Sequence, residues 1–172
     1  MELLKRFTQG DLDAFEALFR EFQGDVFRWI YRIVRDRGAA EDLTIETFWR
    51  VYRGRARFDT QRSFPAWARR IATNAALDYL RTRRQEVELP RQILDPPGPD
   101  AVAGREIGER IRAAFLQLSP RLRVTATLAL VEDRPYDEIA EALGISTSAV
   151  KLRVFRATRK LRAKLKQWGV EP

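Results

Sequence analysis

Residues 136–166 read YDEIAEALGISTSAVKLRVFRATRKLRAKLK, and their spacing decides the fold of the C-terminal half. Ile139, Ala140 and Leu143 give one apolar face, Gly144 permits a left-handed turn, and Ser146 is placed to cap a second helix. Val150 and Val154 return to the core at helical intervals. Small residues at 140 and 144 suit the close elbow of a helix-turn-helix. Across 147–168 the charged residues are Lys151, Arg153, Arg156, Arg159, Lys160, Arg162, Lys164 and Lys166, with no Asp or Glu among them. A solvated helix normally mixes signs, whereas one of a single sign attracts a polyanion. DNA is the favoured ligand; an ordinary helical hairpin with a basic outer face is the alternative.

The whole chain has the same bias. It has 172 residues and a net charge of +8, and its 45% hydrophobic content is more than a disordered basic tail carries. With no cysteine and no histidine, disulfides, thiol nucleophiles, imidazole bases and the usual zinc ligands are excluded. Only carboxylates remain for acid–base or magnesium chemistry, and no catalytic residue, metal ligand or cofactor site is assigned. No apolar run reaches bilayer length, and the opening Met1-Glu2-Leu3-Leu4-Lys5 lacks a signal-peptide core. The expectation is a cytoplasmic protein with no membrane insertion.

The periodicity predicts an all-α fold of two small helical domains, residues 1–85 and 105–172, joined by a Pro-rich linker over 86–104. That linker holds Pro90, Pro96, Pro97, Gly98 and Pro99, a density incompatible with helix. In the first domain Asp11 caps a helix with Phe15, Leu18, Phe19 and Phe22, continued past Gly24 by Val26, Phe27, Ile30, Ile33 and Val34 and broken at Gly38. Leu43, Thr47, Phe48, Val51 and Tyr52 form the stripe of a short helix. Ser63 and Pro65 open a longer one carrying Trp67, Ile71, Ala75 and Tyr79. In the second domain Ile107, Ile111, Phe115 and Leu118 mark one helix, and Ser119-Pro120 starts another.

Two constellations in the first domain carry candidate chemistry. Arg69, Arg70, Arg81, Arg83 and Arg84 alternate with aromatics on the long helix, and Arg55, Arg57, Phe58 and Phe64 crowd the loop before it. Arginines hold phosphates while aromatic faces stack on unpaired bases, a mixture suited to single-stranded nucleic acid. Phe58 and Phe64 flank a polar loop and are the better stacking candidates; Trp67 and Tyr79 lie close enough to the apolar stripe to be core residues. Glu41, Asp42 and Glu46 cluster with Thr44 and Thr47 at a helix start, where acids favour the helix dipole more readily than they make a two-metal site. Asn74 is a short amide that can donate and accept, suited either to a base edge or to a local helix-surface hydrogen bond.

In their order these motifs resemble the sigma-70 family, specifically the short extracytoplasmic-function sigma factors with only two DNA-reading domains. The resemblance is carried by residues 40–52 (AEDLTIETFWRVY), by 64–84 with Trp67, Arg70-Ile71-Ala72, Asn74 and Leu77-Asp78-Tyr79-Leu80-Arg81, and by Leu118-Ser119-Pro120-Arg121 through Tyr136-Asp137-Glu138-Ile139-Ala140 to Val150-Lys151. It implies that Asp42, Leu43, Glu46, Phe48 and Val51 dock on the beta-prime clamp of core RNA polymerase, with the beta flap as a further contact. It implies that Phe58, Asp59, Ser63, Phe64, Trp67, Arg70, Asn74, Asp78 and Arg81 open the minus-ten element and hold a flipped base. It further implies that Ser148, Lys151, Leu152, Arg153, Arg156 and Arg159 read the minus-thirty-five element, and that an anti-sigma factor is a further partner. Ile45 stands where the family usually has Gln, and Leu152 where it often has Ser.

These readings converge on a promoter-specificity subunit that is no enzyme, binds core polymerase and promoter DNA, and melts the promoter through its N-terminal domain. A stand-alone helix-turn-helix repressor or activator is the alternative, although it leaves the arginine–aromatic loop unexplained. A carboxylate nuclease needs acids that converge from more than one element, and these lie together in sequence.

Overall fold

The computed structural model describes residues 2–86 and 102–169. All of its regular structure is helical. Helix α1 spans Glu2–Thr8, and Gly10, at φ 91°, turns the chain into α2, Leu12–Val34. Asp11 caps α2 as expected, its carboxylate accepting the Ala14 N–H at 3.0 Å. Helix α2 runs unbroken past Gly24 and stops at Arg35, which takes a left-handed φ of 55° and donates its N–H to the Tyr31 carbonyl.

The expected break at Gly38 is therefore corrected. Asp36, not a glycine, starts the next helix by accepting the Ala39 N–H at 3.0 Å, and Gly38 falls inside the first turn of α3, Arg37–Gly54. Helix α3 is thus longer than its apolar stripe indicated. A short 3-10 turn, Arg55–Arg57, and an exposed loop lead to α4, Phe64–Glu86.

Helices α2, α3 and α4 pack on one another around Trp29, Ile30, Val51 and Phe7. Ala68, Ala72, Ala75 and Ala76 are fully buried on α4, and their small side chains let the two neighbouring helices close on its backbone. The one polar group of Trp29 is satisfied: its indole N–H donates to Thr73 Oγ1 at 2.9 Å, and the Thr73 hydroxyl donates to the Arg69 carbonyl.

The tether expected over 86–104 lies outside the described residues except at its ends, where α4 extends to Glu86 and α5 begins at Val102. Helix α5, Val102–Gln117, buries Ala114, and Phe115 and the following Leu118 of the expected stripe pack on the same cluster, whereas Ile107 and Ile111 stay exposed. Pro120 opens α6, Pro120–Ala126, without a capping bond from the Ser119 hydroxyl, and a π turn over Thr127–Val131 follows. Helices α7, Tyr136–Leu143, and α8, Thr147–Gln167, complete the second unit.

The two units do not stand apart. Val124, Leu128, Ile139, Ala140 and Val150 join the same apolar cluster as the first unit, and α4 packs against α6 and α7. Two acids stitch the junction: Glu132 meets Arg32 and Arg35, and Glu138 meets Arg69 and Arg134. The Arg69 and Arg134 guanidiniums also lie over the Trp29 ring, at 5.5 and 5.6 Å from its centroid.

Candidate nucleic-acid interface

The helix-turn-helix forms as its spacing predicts. Gly144 adopts φ 65°, and the Ile145 N–H closes the turn on the Ala140 carbonyl at 3.0 Å. The Ser146 hydroxyl accepts the Ala149 N–H at 3.1 Å, which fixes where α8 starts. Val150, Val154, Ala157 and Leu161 turn inward, so Ser148, Lys151, Leu152, Phe155, Arg156 and Arg159 are left exposed. Among the described residues, none of the eight cations of α8 forms an ion pair with a carboxylate. Free of such pairing, these cations are available to phosphates.

Arg153 sits deeper than the others. Burial, and secondarily the nearby Arg121, lowers its pKa; an arginine nevertheless stays charged at neutral pH. It occupies the flank of α8 rather than its outward face.

On α4, Arg70, Asn74, Asp78 and Arg81 share one exposed stripe at three- and four-residue spacing. Asp78 accepts from Arg50 and Arg81, each at 3.3 Å. Asn74 makes no side-chain hydrogen bond among the described residues, so the local helix-surface bond that was the alternative for it is absent here. Arg70 lies under the turn of the helix-turn-helix: a Cβ on Gly144 would fall 2.8 Å from its guanidinium.

The stacking platform expected from Phe58 and Phe64 is corrected. Phe58 is 7% exposed and Phe64 3%, and both pack in an aromatic cluster with Phe7, Phe22 and Trp67. Rings of this size, with an apolar core beside them, gain more from burial than from standing in water. Trp67 is half-buried against both. The exposed part of the loop is polar instead. Asp59 accepts the Gln61 N–H at 3.0 Å and pairs with Arg62, while Ser63 receives the Ala66 N–H at 3.4 Å.

Helix α3 also divides differently from expectation. Leu43, Thr44, Thr47, Phe48 and Val51 are buried, so Leu43 and Val51 hold the helix in place and Phe48 meets the surface only as part of a groove floor. Asp42 and Glu46 are exposed, and beside them stand two apolar residues the stripe did not include, Ile45 at 57% and Trp49 at 62% exposure. With Leu12 of α2 they rim a shallow apolar groove floored by Phe15 and Phe48. The sequence signals for this face were two: large apolar residues lying off the helical stripe, and Ile45 where the resembled family usually has Gln. Glu41, Asp42 and Glu46 lie more than a turn inside α3, so the capping role expected of them belongs to Asp36, and Glu41 and Glu46 pair with Arg37 and Arg50. No group of three acids converges among the described residues. Nor is any described helix long and apolar enough to cross a membrane.

Comparison with known proteins adds three findings. Residues 18–86 match the family model for sigma-70 region 2, and residues 108–161 match that for sigma-70 region 4. Among curated proteins the chain is 36% identical to the RNA polymerase sigma factor CarQ of Myxococcus xanthus over 98% of both chains. It is 28% identical to the ECF RNA polymerase sigma factor SigW of Bacillus subtilis over 95% of both. Among solved structures, CnrH in complex with the cytosolic domain of CnrY has the same fold, with a TM-score of 0.59 at 24% identity over 96% of each chain.

Proposed function

The chain belongs to the extracytoplasmic-function sigma factors of the sigma-70 family, and from that premise we propose how its surfaces divide the work of starting transcription. As a sigma factor it is an initiation factor that directs RNA polymerase to promoters, and neither an enzyme nor a stand-alone repressor. Residues 1–85 bind core polymerase and open the minus-ten element, and residues 105–172 read the minus-thirty-five element from the far side of the linker at 86–104.

Helix α8 enters the major groove, with Ser148, Lys151, Leu152, Arg156 and Arg159 facing DNA and Arg153 reaching a flanking phosphate. The α4 stripe of Arg70, Asn74, Asp78 and Arg81, with Trp67 and the loop residues Asp59 and Ser63, holds the opened strand, and Asn74 meets the edge of a flipped base. Phe58 and Phe64 support that loop from within. Core polymerase docks through the beta-prime clamp on the outer face of α3, where Asp42 and Glu46 supply charge and Ile45 and Trp49 supply apolar area, while the beta flap contacts the second unit. An anti-sigma factor covers the apolar groove at Leu12 and Trp49 when the protein is idle. All of these partners place the protein in the cytoplasm.

The observation that carries this reading is the single-signed α8 on a completed helix-turn-helix. Gel shifts on a promoter obtained by genomic run-off transcription test it. The chain and core polymerase together should retain the duplex specifically, and neither alone should do so. Tight specific binding by the chain alone would favour the repressor instead.

A further inference from the structure

The outward face of α8 carries more than positive charge. Leu152 is 47% exposed and Phe155 58%, three residues apart and therefore neighbours on the helix surface. Neither belongs to the core, because Val150, Val154, Ala157 and Leu161 already occupy the inward positions. Lys151, Arg156 and Arg159 surround the pair, and the Arg159 guanidinium sits 5.9 Å from the centre of the Phe155 ring. Two large apolar side chains framed by cations suit a ligand that is anionic at its edges and apolar at one point.

Duplex DNA offers such a point. In the major groove the only apolar feature of an unmodified base pair is the thymine C5-methyl group. A leucine can neither donate to nor accept from a base edge, so in that groove its favourable contact is this methyl. We propose that Leu152, walled on one side by Phe155, is a specificity residue that selects a thymine in the minus-thirty-five element. Three residues of helix advance about 4.5 Å and one base-pair step about 3.4 Å, so Phe155 faces the neighbouring pair. The inference rests on the minus-thirty-five role of α8 and adds which base chemistry that helix prefers.

The test is binding of the reconstituted holoenzyme to a mapped promoter in which each thymine of the minus-thirty-five element is replaced in turn by deoxyuridine, which removes only the methyl. Wild-type protein should lose about fourfold in affinity at the Leu152 position, the worth of one buried methyl group. In Leu152→Ser that penalty should vanish, and in Leu152→Met it should persist. Both changes are on an exposed position, and circular dichroism checks that the helices are intact. Arg156→Ala separates this inference from the reading beneath it. If Arg156→Ala weakens binding while no deoxyuridine does, or while the deoxyuridine penalty survives in Leu152→Ser, the methyl contact is overturned and the helix keeps its role. If neither Arg156→Ala nor any deoxyuridine matters, the minus-thirty-five role itself fails. Loss of core-polymerase binding by Leu152→Ser in the absence of DNA would make the patch a protein contact and also overturn the proposal.

Discussion

At the scale of the residue, Asn74 and Asp36 make opposite kinds of prediction. Asn74 is exposed on α4 and makes no side-chain hydrogen bond among the described residues, so Asn74→Ala should leave stability within about 0.5 kcal/mol of wild type. Its effect should fall on open-complex yield, and a pre-melted bubble should restore the part of the defect due to strand opening. Wild-type opening of closed duplex by Asn74→Ala would remove this residue from the base pocket. Asp36 is tied to the fold instead. The Ala39 N–H, and then Arg83, hold its carboxyl below the ordinary carboxylate range. A depressed carboxylate contributes stability above its unfolded pKa, near 4, and loses it as pH falls through the lower folded value. Asp36→Ala should therefore melt below wild type at neutral pH, with the gap narrowing below about pH 4. A gap independent of pH would show that the ionised form adds nothing. The caps at Asp11 and Ser146 and the turn at Gly144 were legible because each depends on one side chain acting on its own backbone. The break at Arg35 was not, since nothing in a non-glycine residue announces a positive φ.

At the scale of the element, α3 and α8 show what helical periodicity yields and where it stops. On α8 the inward Val150 and Val154 follow from spacing, Ala157 and Leu161 continue their row in the structure, and the outward face is the remainder. On α3 the same stripe was found, but the docking set read from it joined the exposed Asp42 and Glu46 to the buried Leu43, Phe48 and Val51. The docking face proposed for α3 consists of the residues its own core leaves over, Asp42, Ile45, Glu46 and Trp49. Trp49→Ala and Glu46→Arg should each weaken core-polymerase binding with the helical spectrum unchanged, Trp49→Ala by about 1–3 kcal/mol if it is an interface anchor. Phe48→Ala should instead destabilise the fold by about 3–5 kcal/mol. Unchanged core affinity in a folded Trp49→Ala, Glu46→Arg double variant would move the docking surface off α3. Phe58 and Phe64 show the reverse limit, because aromatics beside a polar loop read alike whether they face solvent or the core, and tertiary packing alone decides.

At the scale of the whole molecule, the closed arrangement and the proposed task are in tension. The two promoter elements lie about 25 base pairs apart, on the order of 85 Å along B-form DNA, whereas here α4 and α7 touch. The chain between Glu86 and Val102 can span at most about 55 Å, so the proposed division of the promoter between the units requires them to part, each supplying the rest of the distance from its own width. Glu132 and Glu138 hold them together in this form, and neither was legible, because an acid that pairs across units reads in sequence like any surface charge. Glu138→Lys, which sets a cation against Arg69 and Arg134, should cost on the order of 1–2 kcal/mol of interdomain attraction. It should raise the radius of gyration in small-angle scattering without loss of helicity; an unchanged radius would place the closing energy in the shared apolar core. The central claim is that this chain gives core polymerase the ability to open a specific promoter. It is tested most directly by permanganate mapping of unpaired thymines on a promoter taken from run-off transcription. With chain and core polymerase together, thymines around the minus-ten element should become reactive, and with either alone they should not. A promoter that the complex demonstrably binds but never opens would contradict the account.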